Sequence, residues 1–496
     1  MAVAQPAVGE SSRSPAASGA PARGAPRWHD AVAIVAILAG LAALWSEFGD
    51  LFPQAEFVDW STPSTPLGNA IWQAVQAVVS FDHVYHTRVL SLLWATGAGH
   101  ACGTGIGCLN AVMFVPVAVS ALALFAAGRV LGLPATAALA VVAVLLASQP
   151  TFEVLSWQAT IHDRMANAAT WLAVIAFFLA VRRVRRTWRS LVPWAAGLAL
   201  LGLLAMHTKE SAWPLLALAV AAPLLLARDR RQALTAAMAL ALPVALMLAD
   251  AITQYLVVQD DPHVAGGNVS NNLRALTTYV VPGGVGIAVA VVGVALAAAA
   301  YVLLRRRHVP DAVALLRVAA WVAVAAVCGW VIPARTQFPS AFYMFVPLAT
   351  ASLSVALALR GGFLALPDRT RPAYRYGAAA IGLALTAWFV GGALGGRYDQ
   401  YRDVARASDT FRHGFARIAA IRRQHPSKQI QFAVPNGLYY GYRFVTASPA
   451  ADLFRLSGAA QPIDVTYATG ATPPPCGTRG TVVIRLDGQL QPASTC

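Results

Sequence analysis

Trp171–Ser190 reads WLAVIAFFLAVRRVRRTWRS, an apolar run that stops at Arg182, Arg183, Arg185 and Arg186 just before a second apolar run begins near residue 190. Arginine is costly in hydrocarbon, so the cluster marks where the chain leaves a bilayer, and an excess of such residues marks the cytoplasmic side. The signal recurs at every second gap between apolar runs. Arg13, Arg23 and Arg27 precede the first run, Arg129 follows the second, and Arg228, Arg230 and Arg231 follow the sixth. Arg305, Arg306 and Arg307 follow the eighth, and Arg360, Arg369, Arg371 and Arg375 follow the tenth. The acids fall mostly at the other gaps: Asp50, Glu56, Asp59, Asp82, Glu153, Asp163, Glu210, Asp260 and Asp261. This alternation predicts a cytoplasmic amino terminus and an acidic extracytoplasmic face.

Composition agrees with a membrane chain. Apolar residues make up 57% and charged residues 12%, and the mean hydropathy is +0.58, outside the range of ordinary soluble domains. The net charge of +15 would point to nucleic acid in a soluble protein. Here most of the cations sit in short cytoplasmic loops, where they orient the chain and meet anionic lipid, so no nucleic-acid partner is expected. Residues 1–30 read as a disordered cytoplasmic tail rich in Ala, Pro, Ser and Gly. The first apolar run is followed by Trp45, Ser46, Glu47 and Phe48 rather than a small-residue cleavage site, which predicts a retained anchor. Cys102 with Cys108 and Cys476 with Cys496 are two open disulfide pairings in an oxidising compartment, and Cys328 lies within a run.

A crossing helix needs about 20 apolar residues. Eleven such segments can be laid down, near 31–48, 106–128, 134–149, 165–181, 190–206, 211–227, 233–257, 283–304, 312–332, 341–359 and 376–394. The expected fold is therefore an all-α polytopic membrane domain over 31–395, with a small α+β extracytoplasmic domain over 396–496. In that last region 400–424 reads as an amphipathic helix, and Gln429–Val434 and Thr481–Leu486 read as short strands. The first outer loop, 49–105, is the longest in the membrane part, and long loops in compact proteins are usually functional. Within it Leu67, Ala70, Ile71, Ala74, Val75, Val78 and Val79 recur at helical spacing, predicting an interfacial helix over 67–80.

The residues able to carry chemistry gather on the predicted outer face. Asp59 precedes the interfacial helix, and Asp82, His86 and Arg88 follow it. Glu153 and Trp157 lie one turn apart before His162, Asp163 and Arg164, Lys209 and Glu210 fall between the fifth and sixth runs, and Arg335 precedes the tenth. Ionisable residues at membrane depth are rare and usually face a cavity or pathway. No phosphate-cradling loop, paired Cys-x-x-Cys site or nucleophile elbow is present.

In this order the residues resemble the GT-C glycosyltransferases, nearest to the O-mannosyltransferase-like branch. Five stretches carry the likeness: Phe57-Val58-Asp59; Tyr85 to Leu93, with Arg88-Val89-Leu90-Ser91 similar to that branch's Arg-Pro-Leu-Ser; Gln149-Pro150 to Asn167; Thr208-Lys209-Glu210; and Arg335 to Tyr343 into Pro347. The likeness covers about residues 30–360, with Trp60 where a second acid is frequent, Val89 for Pro and Gln149 where His is common.

The resemblance implies an inverting enzyme that moves a sugar from a polyprenyl-phosphate donor to a glycan, lipid or protein acceptor outside the plasma membrane. Such transfer needs a carboxylate as general base, for which Asp59 is the first choice and Asp82 the rival. The departing phosphate needs cations, and Arg88, Arg164, Lys209 and Arg335 are candidates. His86 and His162 would add donors, while Glu153, Asp163 and Glu210 would orient the cations or bind sugar hydroxyls. Some relatives use a divalent cation, although no ligand spacing here calls for a metal or other cofactor. Two other functions compete: a transporter or flippase of lipid-linked or envelope glycan precursors, and a catalytically silent assembly partner. A transporter should hold ionisable residues near the bilayer midplane, where Asp250 is the exception to the outer placement.

Overall fold

The computed structural model describes residues 28–51, 66–80, 88–103, 105–157, 160–185, 187–227, 229–258, 268–280, 310–335, 340–365 and 402–410, with scattered positions elsewhere and three strand segments near the carboxy terminus. Its helices are α1 (Trp28–Phe48), α2 (Leu67–Ser80), α3 (Val89–Cys102), α4 (Ile106–Val130), α5 (Ala135–Leu146) and α6 (Gln149–Ser156). They continue as α7 (Ile161–Arg183), α8 (Trp188–Met206), α9 (Pro214–Leu226), α10 (Arg230–Val258), α11 (Val269–Val280), α12 (Pro310–Ala334) and α13 (Phe345–Ala365). Seven are long and apolar enough to cross a membrane, or eight if the bent pair α5 and α6 is one span, among the described residues. The protein is a polytopic helical membrane protein. The eighth and eleventh expected segments, 283–304 and 376–394, lie almost wholly outside the described residues.

Helix α7 is the centre. It buries 67% of its apolar window against 22% for α1, and its Trp171, Phe177 and Phe178 are fully enclosed. Outer helices instead present apolar side chains outward, such as Val32, Val35 and Leu38 on α1 and Leu242, Leu248 and Ile252 on α10, as lipid-facing surfaces do. Helices α8 and α10 approach closely at Gly202, where an added Cβ would stand 2.5 Å from Met247 Sδ.

The third expected span, 134–149, is not one straight helix. Helices α5 and α6 meet at 53°, because Ser148 caps α6 by accepting a hydrogen bond from Thr151 N and Pro150 stands in the first turn of the new helix. Ser148 Oγ and Thr151 Oγ1 both donate to the Leu145 carbonyl that the break exposes, each at 2.6 Å. Glu153 therefore sits on a short helix of its own. The fourth span begins at Ile161 rather than near 165, so His162, Asp163 and Arg164 occupy the first turn of α7. Pro116 inside α4 cannot donate to the Val112 carbonyl, and the Trp94 indole N–H of α3 donates to it at 3.3 Å.

The contacts define two ends of the bundle. At one end Arg129 of α4 pairs with Asp30 of α1, and Gln232 donates to the Val181 carbonyl at 2.9 Å, tying the arginine-bearing turns together. At the other, Asn110 Nδ2 donates to the carbonyls of Gly49 and Leu51, and a Cys102–Cys108 disulfide joins α3 to α4. Arg412 bonds the Asp50 side chain at 3.2 Å and also its carbonyl, and Val404 joins the main apolar core. Farther on, Gln429–Ala433 pairs parallel with Thr481–Leu486, which pairs antiparallel with Pro492–Thr495. The expected Cys476–Cys496 pairing lies outside the described residues.

Candidate functional site

Two helix termini and one tight turn converge at the end that carries the disulfide. The turn, residues 207–213, follows α8 and contains one turn of 3-10 helix, Glu210–Ala212, before Pro214 opens α9. It delivers Lys209 against the first turn of α7. Lys209 Nζ donates to both oxygens of Asp163, at 2.8 and 2.6 Å, and both side chains are almost wholly enclosed. The Asp163 carboxylate also profits from its place at a helix N-terminus, where the peptide dipoles favour negative charge.

Lys209 lies over two aromatic faces, 4.9 Å from the Phe342 centroid and 4.4 Å from that of Tyr343. Both rings belong to or adjoin the short 3-10 turn Ala341–Met344 that leads into α13. Trp157 meets Phe342 edge-on at 5.3 Å. Glu153 holds this turn in place: its Oε2 accepts the Phe342 backbone N–H at 3.1 Å, and Gln149 reaches its Oε1 at 3.5 Å. Burial pushes the Lys209 ammonium below the ordinary lysine range, Asp163 opposes that shift, and Arg88 adds to it.

Arg88 enters from the start of α3, and its guanidinium stands 3.5 Å from Glu210, with its side chain 28% exposed. Two backbone-directed bonds fix this approach. Leu90 N donates to the His207 carbonyl at 3.3 Å, and Ser91 Oγ donates to the Thr208 carbonyl at 3.0 Å. The Arg88-Val89-Leu90-Ser91 stretch and the Thr208-Lys209-Glu210 stretch, far apart in sequence, are thus one structural unit.

Arg164 has a different task from the phosphate contact expected of it. Its Nε and Nη2 donate to the Val154 carbonyl, its Nη1 to Met113 at 2.9 Å, and its Nη2 also to Trp157. The side chain is 2% exposed and braces the break between α6 and α7 against α4. With its nitrogens spent on two carbonyls at the end of α6 and one within α4, Arg164 is a structural clamp.

Of the expected residues, the structure brings together Arg88, Glu153, Asp163, Lys209 and Glu210. His162 is buried one position before Asp163. Arg335 is exposed at the end of α12. Asp59, Asp82 and His86 lie outside the described residues. Among the described residues no group of three His, Cys, Asp or Glu side chains is gathered to hold a metal ion.

Four residues of the site's surround were not expected from sequence: His207, Trp213, Asp250 and Gln254. The only signal pointing to them is a pair of polar residues, Asp250 and Gln254, four apart in an otherwise apolar helix. Asp250 belongs to this end of the bundle through His207, which it meets at 3.4 Å, and so does not stand apart from the other ionisable residues as expected.

No protein-family model, curated protein or solved structure matches this chain.

Proposed function

We propose that the chain is a membrane glycosyltransferase of GT-C type, moving a sugar from a polyprenyl-phosphate donor to an acceptor on the extracytoplasmic face of the plasma membrane. The observation that carries this reading is the pairing of two cation–carboxylate contacts, Lys209–Asp163 and Arg88–Glu210, in one unit of the bundle end. A lipid phosphate needs cationic donors at the edge of the bilayer and carboxylates that keep those donors placed before it arrives. Arg88 suits the phosphate contact, since it is partly exposed and its carboxylate partner is 3.5 Å away, long for a charged hydrogen bond. Lys209 is committed to Asp163 and to two rings, and acts as the positive anchor around which Arg88 and Glu210 are arranged.

The direction of the chain follows the same reading. The arginine-bearing turns at 182–189 and 228–231 take the cytoplasmic side, and the site takes the other. Support comes from the Cys102–Cys108 disulfide, which suits an oxidising compartment, and from the Arg412–Asp50 bond, which ties the region after the last span to the site end. In this reading α2, whose Leu67, Ile71, Trp72 and Val75 are exposed, rests on the outer leaflet beside the site, and residues from about 396 form the extracytoplasmic domain.

Asp59 is proposed as the general base, with Asp82 as the rival. The test is transfer from synthetic polyprenyl-phosphate sugars by the purified protein in lipid nanodiscs. Asp59→Asn should lower turnover by about a hundred- to ten-thousand-fold, the usual contribution of a positioned base, with little change in donor affinity. Normal transfer by Asp59→Asn and loss by Asp82→Asn would move the base. Insensitivity to both in a working assay would remove the mechanism, and donor movement across proteoliposomes without transfer would identify a flippase.

A further inference from the structure

Among the described residues, polar contacts join helix α10 to both ends of the turn at residues 207–213. At the start of the turn His207 Nε2 lies 3.4 Å from Asp250 Oδ1. Near its end the Trp213 indole N–H donates to Gln254 Oε1 at 3.0 Å. The two α10 residues are one helical turn apart and are bonded to each other, Gln254 Nε2 donating to Asp250 Oδ2 at 2.8 Å. Gln254 Nε2 also reaches the Met206 carbonyl at 3.4 Å, where α8 ends. Gln254 is completely buried, and the side chains of His207 and Asp250 are 11% and 10% exposed.

The chemistry makes this chain of bonds directional. An indole N–H only donates, so Gln254 must turn its oxygen to Trp213 and therefore its amide nitrogen to residue 250. Position 250 must then accept, and with a second oxygen it also faces the His207 ring. A carboxylate meets both demands. Asparagine meets both only where the ring accepts at Nε2, since its amide nitrogen must then face the ring; a ring that donates at Nε2 requires the carboxylate. A burial site this dry also disfavours leaving any of these groups unpaired.

We propose that Asp250 and Gln254 of α10 are positioning residues for the anion-binding site, acting as a clamp on both ends of the turn that carries Lys209 and Glu210. The inference rests on the reading of that site as a polyprenyl-phosphate site. The connection to Arg88 is continuous. Asp250 meets His207, the His207 carbonyl receives Leu90 N, the Thr208 carbonyl receives Ser91 Oγ, and Glu210 faces Arg88. Loosening the clamp lets the turn shift, and the start of α3 shifts with it. Neither Asp250 nor Gln254 contacts the phosphate in this scheme.

The experiment is a double-mutant cycle in the full chain in nanodiscs, with a short-chain polyprenyl monophosphate as the ligand. Asp250→Asn should weaken binding by about tenfold, a coupling of ordinary size for residues in one network, and should add nothing in an Arg88→Ala background. Trp213→Phe, which breaks only the far contact, should give a smaller loss of the same kind and keeps the proposal testable if Asp250→Asn expresses poorly. A general loss of packing would instead lower affinity equally in both backgrounds, and that result, or unchanged affinity in Asp250→Asn, overturns the clamp.

Thermal unfolding of Asp250→Asn, Glu210→Gln and the double variant, without ligand, tests the clamp separately from the function. A melting-temperature loss in the double variant smaller than the two single losses together supports the connection, and strict additivity refutes it. If wild-type protein ignores the lipid phosphate, the glycosyltransferase reading fails, and this second cycle still decides whether α10 holds the turn.

Discussion

Lys209 with Asp163 and Arg129 with Asp30 are the same kind of contact at opposite ends of the bundle, but their surroundings differ. The first pair shows 6% and 3% of its side chains to the surface, the second 31% and 38%. An exposed pair contributes about 0–1 kcal/mol, because water already solvates both charges and screens them. An enclosed pair has given up that solvation, and replacing it by apolar residues is often neutral or stabilising. The Arg129–Asp30 contact is thus explained by tying α1 to α4. The Lys209–Asp163 contact is a poor device for stability alone, and it stands beside Arg88, Glu210 and Glu153 in the proposed site.

Four variants can break or sharpen this contrast. Asp163→Asn leaves the enclosed ammonium without its counter-charge and should cost about 3–5 kcal/mol, read as a large fall in apparent melting temperature or loss of folded yield. A wild-type melting curve would show that Lys209 is not held as described. The paired change Asp163→Leu with Lys209→Met removes both charges, and most of the lost stability should return while transfer stays absent. Transfer by that double variant would leave the pair without a role in the site. Arg88→Ala should weaken polyprenyl-phosphate binding by about ten- to a hundredfold, in keeping with about 1.5–3 kcal/mol for a hydrogen bond to a charged group, with little effect on folding. Equal affinity would take Arg88 out of the phosphate contact. Smallest of all, Asp30→Asn should change stability by less than about 1 kcal/mol and leave transfer untouched; a collapse comparable to Asp163→Asn would erase the difference between the two ends.

The fate of two arginines shows how far the site could be read in advance. Arg88 and Arg164 carry equal credentials in sequence, each beside a polar, acid-bearing stretch at the predicted outer face. Arg88 faces Glu210 with part of its surface open, whereas Arg164 is consumed by the carbonyls of Val154, Met113 and Trp157. The deciding factor is the end of α6 ahead of α7, whose open carbonyls at Val154 and Trp157 come from backbone geometry and leave no mark in residue type. Asp250 joins the other ionisable residues for a related reason: α8 ends beside it at Met206, and His207 then stands 3.4 Å from its carboxylate.

Sequence alone determined the membrane character, because hydropathy is a sum over neighbouring residues and needs no partner. Helices Trp28–Phe48, Ile106–Val130, Trp188–Met206, Arg230–Val258 and Pro310–Ala334 stand where apolar runs were marked. The rarity of charge in such runs also singled out Asp163, Lys209 and Glu210, since each must be compensated wherever it lies. Tertiary structure decided which compensation each receives: a lysine for Asp163, a backbone N–H for Glu153, an arginine for Glu210, a histidine and a glutamine for Asp250. Those partners are 46 residues away for Asp163 and 189 for the Glu153–Phe342 bond. Local pattern has no access to such separations, because the pairing energy exists only once the helices have packed and excluded water from between the charges.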